Sequence, residues 1–563
     1  MIKRRGIKIN NREYAANLRS GAKINPTSIL YITLPLALAI CLRVYPFLLS
    51  GLPFSVDAWP SIKCAENLLK NSHTVLNAEV PTSEELGDKI FGAVISAIMG
   101  LQPITTMAFY LPIAGAMVIP ILCALVKKVY GRGEAFAASI LLATAAPEVI
   151  LTAGVKGQTY AHPLYMTLIL LFLNRGMGFW RKVLLFSLLS MILALTHYYT
   201  AVLIAAAFVF MGIAKIILRW RDGKDLEVNT LIFPIILAIS VFAYLTFYAS
   251  WAFRFISSID WISAASYQLV LFALALYLTL KPQGTKHART TAFSIITSLI
   301  ALLLAFLATR RPLVAGAPTL PMHYLLYAAP FIIAAPLAVL GYTKSKSLKR
   351  SNNGDEHVVL PLFWLGVILG LECYAIFGNV EAGLGLTLAY RGLVFLIPPL
   401  SILCAIGLAS LSRDKEAGKW GFSRVQAAMI LAAILALNLY SFYATIFIQE
   451  RYMGYFWLYT PSEYYAAVWI SGVTDGLKVA GDAKTLYLLK YYFNADVNLM
   501  QGLKFLSGAS KQAPEILFMY SQMLRNGYVV YGGYSVNLPE GWLERLHNLS
   551  LVYSNIVVNV YAR

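Results

Sequence analysis

The sequence predicts a mainly α, polytopic membrane helical bundle of about thirteen transmembrane helices, followed by a small C-terminal α/β domain outside the membrane. Three observations predict it. Of the 563 residues, 59% are hydrophobic and only 13% charged, about half the charged share of an ordinary soluble chain. Mean hydropathy is +0.66. Apolar stretches near the ~20 residues needed to cross a hydrocarbon core recur from Ile29 to Ile446. Soluble, disordered and collagen-like classes are thereby excluded. The five Cys are scattered without CxxC spacing, which excludes a disulfide scaffold.

In chain order, a basic tail at 1–28 precedes spans near 29–50, 106–126, 134–150, 161–174, 183–196, 200–219, 230–248, 263–280, 291–308, 322–340, 358–376, 392–410 and 425–446. The +19 charge sorts by side. With the N-terminus cytoplasmic, the cytoplasmic segments carry 28 Lys and Arg, against 8 in the opposite loops up to Arg391. The positive-inside rule therefore orients the chain and places 447–563 outside. The basic charge is topological, so nucleic acid is not an expected partner. The tail is expected to stay as a cytoplasmic anchor, because the first span is too long for a signal h-region and no small-residue cleavage site follows.

The first exterior loop, 51–105, holds two expected interfacial helices. One is WPSIKCAENLLKN, with Pro60 suited to a first helical turn. The other is SEELGDKIFGAVISAIMG, whose acidic start favours a helix N-terminus. Cytoplasmic connections are short and basic, the one at 341–357 reads as a linker, and none has a phosphate-cradling GxxxxGK[ST]. After the last span, RYMGYFWLYTPSEYYAAVWI reads as an aromatic amphipathic stretch in the headgroup region. Beyond it, β-like runs (LKVAGD, TLYLLKYY, GYVVYGGY, LVYSNIVVNVYAR) alternate with helical pieces, the pattern of an α/β domain.

Asp57, in GLPFSVDAWP just outside the first span, is the most informative ionisable residue. It is suited to act as a base or to hold a sugar hydroxyl; the plainer reading is an N-cap of the helix that follows. Arg43, Glu148, His162, His197, Arg254, His323 and Arg391 all lie near the exterior ends of spans. Singly, Arg43 and Arg254 can snorkel, and His197, in THYYT, can be a hydrogen-bonded structural imidazole. Together with Asp57 they collect on one side, as a cavity opening outward requires. Arg391, in LAYRGLVFLIPP, sits at headgroup level, where a guanidinium binds phosphate bidentately, although ordinary phospholipid also satisfies it. Arg310 and Arg311 form a second exterior cationic site and Lys156 a third.

The layout resembles the GT-C superfamily of integral-membrane glycosyltransferases, which use polyprenyl-phosphate-linked sugars. The likeness rests on an acidic residue in a long first exterior loop (SVDAW), many spans, an Arg opening a late span (YRGLVFLIPP) and a C-terminal exterior domain. It extends to the catalytic subunit of oligosaccharyltransferase. That subunit's WWDYG is absent, the nearest string being VVYGGY at 529–534, and its DxD and SVSE motifs are missing. The departures favour a monosaccharide or lipid-sugar transferase over asparagine-linked oligosaccharide transfer.

The resemblance implies that Asp57 is the catalytic carboxylate, and that Arg391, with Arg310, Arg311, Lys156 and Arg43, is drawn on to bind the donor phosphate. Glu148, His162, His197, Trp59 and His323 are expected around the donor and acceptor. Asp57 would deprotonate the acceptor hydroxyl while cations stabilise the leaving phosphate, giving an inverting displacement. A lone Asp without a DxD partner argues against a bound metal, with a divalent ion (Mg or Mn) at Asp57 as the alternative. The expected partners are a polyprenyl-phosphate-linked sugar, a sugar, lipid or protein acceptor, and membrane lipids. The rivals are a flippase or transporter of lipid-linked sugars, or a non-catalytic protein that binds polyprenyl phosphate. A transporter would show charges or broken helices near the membrane centre, whereas Glu134, Glu148 and Glu372 all lie near span ends.

Overall fold

The computed structural model describes residues 26–72, 80–174, 176–225, 227, 229–252, 260–280, 287–348, 356–378, 380–413, 424–473, 476–531 and 534–563. Most of the basic tail, Arg254, residues 349–355 of the 341–357 linker and part of the VVYGGY string lie outside the described residues.

The membrane part is built from α1 (Pro26–Ser50), α2 (Ala58–Asn71), α3 (Gly87–Met99), α4 (Pro103–Ala116), α5 (Val118–Val129), α6 (Arg132–Thr144), α7 (Ala146–Ala153), α8 (Gly157–Leu173), α9 (Phe179–Thr196), α10 (Tyr198–Arg221), α11 (Asn229–Phe247), α12 (Trp261–Leu280), α13 (His287–Ala308), α14 (Leu325–Leu348), α15 (Glu356–Phe377), α16 (Ala382–Arg413) and α17 (Arg424–Tyr443). Among the described residues, eleven helices are long and apolar enough to cross a membrane, with α4 and α5 forming one span. The pair α6 and α7, bent by 59°, makes a twelfth. The remaining expected span corresponds to α8, whose 17 residues lie at the short end of the range that crosses a hydrocarbon core, so thirteen crossings with the two ends of the chain on opposite sides stay consistent with these helices.

The α6–α7 bend has a local cause. Pro147 lies in the first turn of α7, and the Ala146 N–H freed at the break donates to the Asn438 side chain of α17 at 3.2 Å. Polar groups at membrane depth need such an internal partner. The bend turns the chain early and delivers the 154–157 turn to the side where the first long loop ends. At the centre, α16 packs on α14 so closely that a Cβ on Gly341 or Gly407 would run into the facing backbone.

Both expected loop helices form. However, α3 starts only at Gly87, so Glu84 and Glu85 precede it instead of forming its first turn.

The C-terminal part comprises α18 (Pro461–Val473), β1 (Val479–Ala480), α19 (Ala483–Tyr491), β2 (Val497–Asn498), α20 (Leu499–Ser507), β3 (Ile516–Tyr520), α21 (Met523–Asn526), β4 (Tyr528–Tyr531), β5 (Tyr534–Val536), β6 (Ser550–Ser554) and β7 (Val558–Ala562). The sheet order is β2-β1-β3-β7-β6, with β4 and β5 as a separate hairpin. β1 runs parallel to β2 and β3, while β7 is antiparallel to β3 and β6.

Two sequence expectations change here. TLYLLKYY is helical, because Asp482 caps α19 by accepting from Thr485 N at 2.9 Å, an N-cap that β-propensity alone does not register. The stretch expected in the headgroup region places Tyr455, Phe456, Leu458 and Tyr459 in buried positions, where the aromatic rings fill core.

Candidate active site

Asp57 is the residue before α2 and is half-buried. Its carboxylate does not cap the helix and has no hydrogen bond or ion pair with any described residue. The plainer reading of Asp57 as an N-cap is therefore set aside. The backbone holding it is constrained. Ser55, at φ 85°, occupies the left-handed region unfavourable to a side chain. Its N–H is fixed by the Trp457 carbonyl at 2.9 Å, and the Phe54 carbonyl accepts from Val155 N at 3.2 Å. The Asp57 turn is thus tied both to the C-terminal part and to the 154–157 turn that carries Lys156.

Lys156 is 7% exposed and, like Asp57, makes no hydrogen bond or ion pair with a described residue. Burial pushes its ammonium down to about 8; the Asp57 carboxylate opposes this, Arg391 adds to it and Glu85 opposes it. Arg391 lies in the third turn of α16. Its Nε donates to the Tyr390 hydroxyl at 3.2 Å, and it feels the charges of Glu85 and Asp57 without an ion pair to either. The fold therefore brings together an accessible carboxylate and two cations that no carboxylate among the described residues neutralises by direct contact.

Glu85 is the functional candidate that sequence reasoning missed. The 82–89 segment docks on the α9–α10 turn through Leu86 N to the Leu195 carbonyl, 2.8 Å. Lys89 Nζ braces the turn by donating to the Thr82 carbonyl at 2.7 Å and to the Glu85 carbonyl. Glu85 is 5% exposed, and burial pushes its carboxyl up to about 8 against the attraction of Lys89. Its Oε1 lies 3.3 Å from His197 Nε2. His197 Nδ1 accepts from Thr200 N at 3.1 Å, and its Nε2 also lies 3.4 Å from Arg391 Nη1. Burial, with Arg391 and Lys156 next, holds the imidazole well below its ordinary range, so His197 is neutral. A Cβ on Gly157 would collide with the Thr196 carbonyl and the Glu85 carboxylate; only glycine lets the two loops meet there.

Other expected site residues are placed differently. Arg43, Glu148 and His162 are essentially inaccessible and form their own network. Arg43 Nε donates to Thr152 Oγ1 at 2.8 Å, its Nη2 is 3.6 Å from Glu148, and His162 Nδ1 is 3.0 Å from the same carboxylate oxygen. A buried guanidinium needs a counter-ion, and here Glu148 supplies it, joining α1 to α7 instead of opening to the pocket. Trp59 is fully buried between Tyr459, Tyr464 and Tyr492, at ring distances of 5.1, 5.8 and 5.2 Å; it clamps α2 to the C-terminal part and does not line the pocket. Arg310 and Arg311 are exposed, Arg310 over the Phe306 ring at 5.2 Å, and no hydrogen bond or ion pair joins them to Asp57 or Arg391. His323 is exposed and 3.3 Å from Glu450.

Beside Arg391 lies an apolar cavity of about 370 Å³. Leu313, Val314, Leu386, Tyr390, Phe456 and Trp457 are among its walls, so Tyr390 borders both the cavity and the cationic pocket. Among the described residues no three His, Cys, Asp or Glu side chains converge, and Lys156 and Arg391 feel the charge of Asp57.

No protein-family model and no curated protein sequence matches the chain. Solved structures do. The oligosaccharyltransferase of Archaeoglobus fulgidus in the apo form superposes with a TM-score of 0.55 at 13% identity, over 88% of this chain and 70% of that one. The same enzyme in complex with an inhibitory peptide and a dolichol-phosphate gives 0.53 at 12% identity, over 88% and 69%. ArnT from Cupriavidus metallidurans bound to undecaprenyl phosphate aligns over 96% and 98% at 11% identity, with a TM-score of 0.37 that is too low to define a shared fold. The chain shares the fold of these oligosaccharyltransferase structures, with many membrane helices and a small C-terminal sheet domain.

Proposed function

We propose that the protein is a membrane glycosyltransferase that moves a sugar from a polyprenyl-phosphate donor to a hydroxyl acceptor at the outer membrane face. One observation carries the reading: an accessible carboxylate without a partner among the described residues lies within the field of Arg391 and Lys156, neither of which any described carboxylate neutralises by direct contact. An anionic leaving group supplies the missing counter-charge. Arg391 and Lys156 hold the donor phosphate, and its lipid chain runs into the apolar cavity beyond Tyr390. The dolichol-phosphate in one of the superposed structures supports a ligand of this chemistry.

Asp57 takes the proton of the acceptor hydroxyl. The acceptor oxygen then bonds to the anomeric carbon as the carbon–phosphate-oxygen bond breaks, and the electron pair leaves on the phosphate under the field of the two cations. Attack opposite the leaving group inverts the anomeric configuration. Positive-inside charge orients the N-terminus to the cytoplasm and the C-terminal domain outside.

The test is release of free lipid phosphate from undecaprenyl-phosphate- and dolichyl-phosphate-linked sugars by purified protein. We expect release with wild type and loss with Asp57→Asn. Donor translocation in proteoliposomes without bond cleavage would instead establish a transporter.

A further inference from the structure

Arg391 is held at two of its three guanidinium nitrogens. Nε donates to the hydroxyl of Tyr390 at 3.2 Å, a neighbour on the same helix that fixes it against no other element. Nη1 lies 3.4 Å from His197 Nε2, in the turn between α9 and α10. Nη2 makes no hydrogen bond with a described residue. A guanidinium is planar, so two tethers fix its plane and aim the N–H groups of Nη2 in one direction.

His197 is rigidly placed for this task. It is 1% exposed, its backbone N–H donates to the Leu193 carbonyl at 2.9 Å at the end of α9, and its ring caps α10 through Thr200 N. Thr200 serves Nδ1 twice, with its N–H at 3.1 Å and its hydroxyl at 2.6 Å. Nδ1 therefore has a partner with or without the proton. Nε2 is satisfied in both forms too, as acceptor from Arg391 or as donor to Glu85, 3.3 Å away. A carboxylate in place of the imidazole would pair with Arg391 and compete with phosphate for it. A neutral ring orients the cation without cancelling its charge, and Glu85 is kept one residue back, in contact with the imidazole and without an ion pair to Arg391.

We propose that His197, backed by Glu85, is the positioning residue of Arg391, holding the guanidinium so that Nη2 is presented to the donor phosphate. The proposal rests on the glycosyltransferase reading, in which Arg391 binds that phosphate. Neither His197 nor Glu85 touches a reacting atom; both act through Arg391.

The experiment measures undecaprenyl phosphate binding by full-length protein in detergent. His197→Phe keeps a ring that cannot bond Nη1, whereas His197→Gln carries an amide that can. Both variants lose the Nδ1 cap on Thr200, so the difference between them reports the tether alone. Binding should weaken about tenfold in His197→Phe, the size of one lost hydrogen bond to a charged group, and return to within about threefold of wild type in His197→Gln. In Arg391→Lys, whose ammonium has no plane to orient, adding His197→Phe should bring no further loss. Thr200→Val is the milder variant: it removes the hydroxyl and keeps the N–H, which forces the proton onto Nε2 and releases Arg391, so binding should again weaken. Equal binding by the Phe and Gln variants, a full additional loss in the Arg391→Lys background, or wild-type affinity in Thr200→Val would overturn the proposal. Retention of undecaprenyl phosphate by Arg391→Ala sinks the glycosyltransferase reading itself; loss there, with His197→Phe binding like wild type, sinks only the positioning role.

Discussion

Lys156 is a cation whose charge depends on the working pH. Its ammonium is pushed down to about 8 and the neighbouring Glu85 carboxyl up to about 8. Raising the pH through that value removes the proton from both, and each loss makes the pocket less positive. Above pH 7 a lipid phosphate is already almost fully charged, so any further weakening of its binding belongs to the protein. We expect the Kd for undecaprenyl phosphate to rise about tenfold between pH 7 and 9.5, and to rise less in Lys156→Arg, whose guanidinium stays protonated. A flat profile would mean that Lys156 does not touch the phosphate. For Asp57→Asn, turnover should fall about 10²–10⁴-fold, the range of a lost general base, with lipid-phosphate affinity unchanged. Gly157→Ala should cost more than its one methyl group suggests, because the Thr196 carbonyl cannot yield; reduced Tm together with weakened donor binding is the expected pair of readings.

At the scale of elements, the site depends on how segments far apart in sequence lock together. Trp59 holds α2 against the C-terminal domain, and Asp57 lies two residues before it. Trp59→Ala should cost about 3–5 kcal/mol of stability, read as a lower Tm, and should also lower turnover by loosening the Asp57 turn. Ser55→Gly should do the opposite for stability. Glycine tolerates φ 85° without the side-chain penalty of about 1 kcal/mol, and a Tm that falls in this variant would show that the turn is unstrained. The network of Arg43, Glu148 and His162 belongs to this scale as well. It fixes α7 against α1, so the turn bearing Lys156 emerges in one place.

Across the whole molecule, the amphipathic and apolar patterns made the membrane helices and the C-terminal domain legible, since lipid leaves few alternatives to a helix. The orientation predicted from basic residues has a direct check. Ile556, 99% exposed in the C-terminal domain, replaced by Cys in a Cys-free background, should react with a membrane-impermeant maleimide added to intact cells; labelling only after lysis would invert the topology. Less of the site was legible. Asp57, Lys156, Arg391 and His197 could be named because ionisable groups beside lipid stand out. Glu85 did not, since in SEELGDK it reads as one of several acids favouring a helix start. Arg43 and Glu148 stand out for the same reason as Arg391, yet they neutralise each other.

By itself the sequence determined the solvent of each segment and the carboxylate to watch, because hydropathy and charge act residue by residue. Only the tertiary structure decided which charges remain unpaired among the described residues and that Glu85 reaches His197. Pairing depends on distances between residues hundreds of positions apart, and those distances are set by how helices pack.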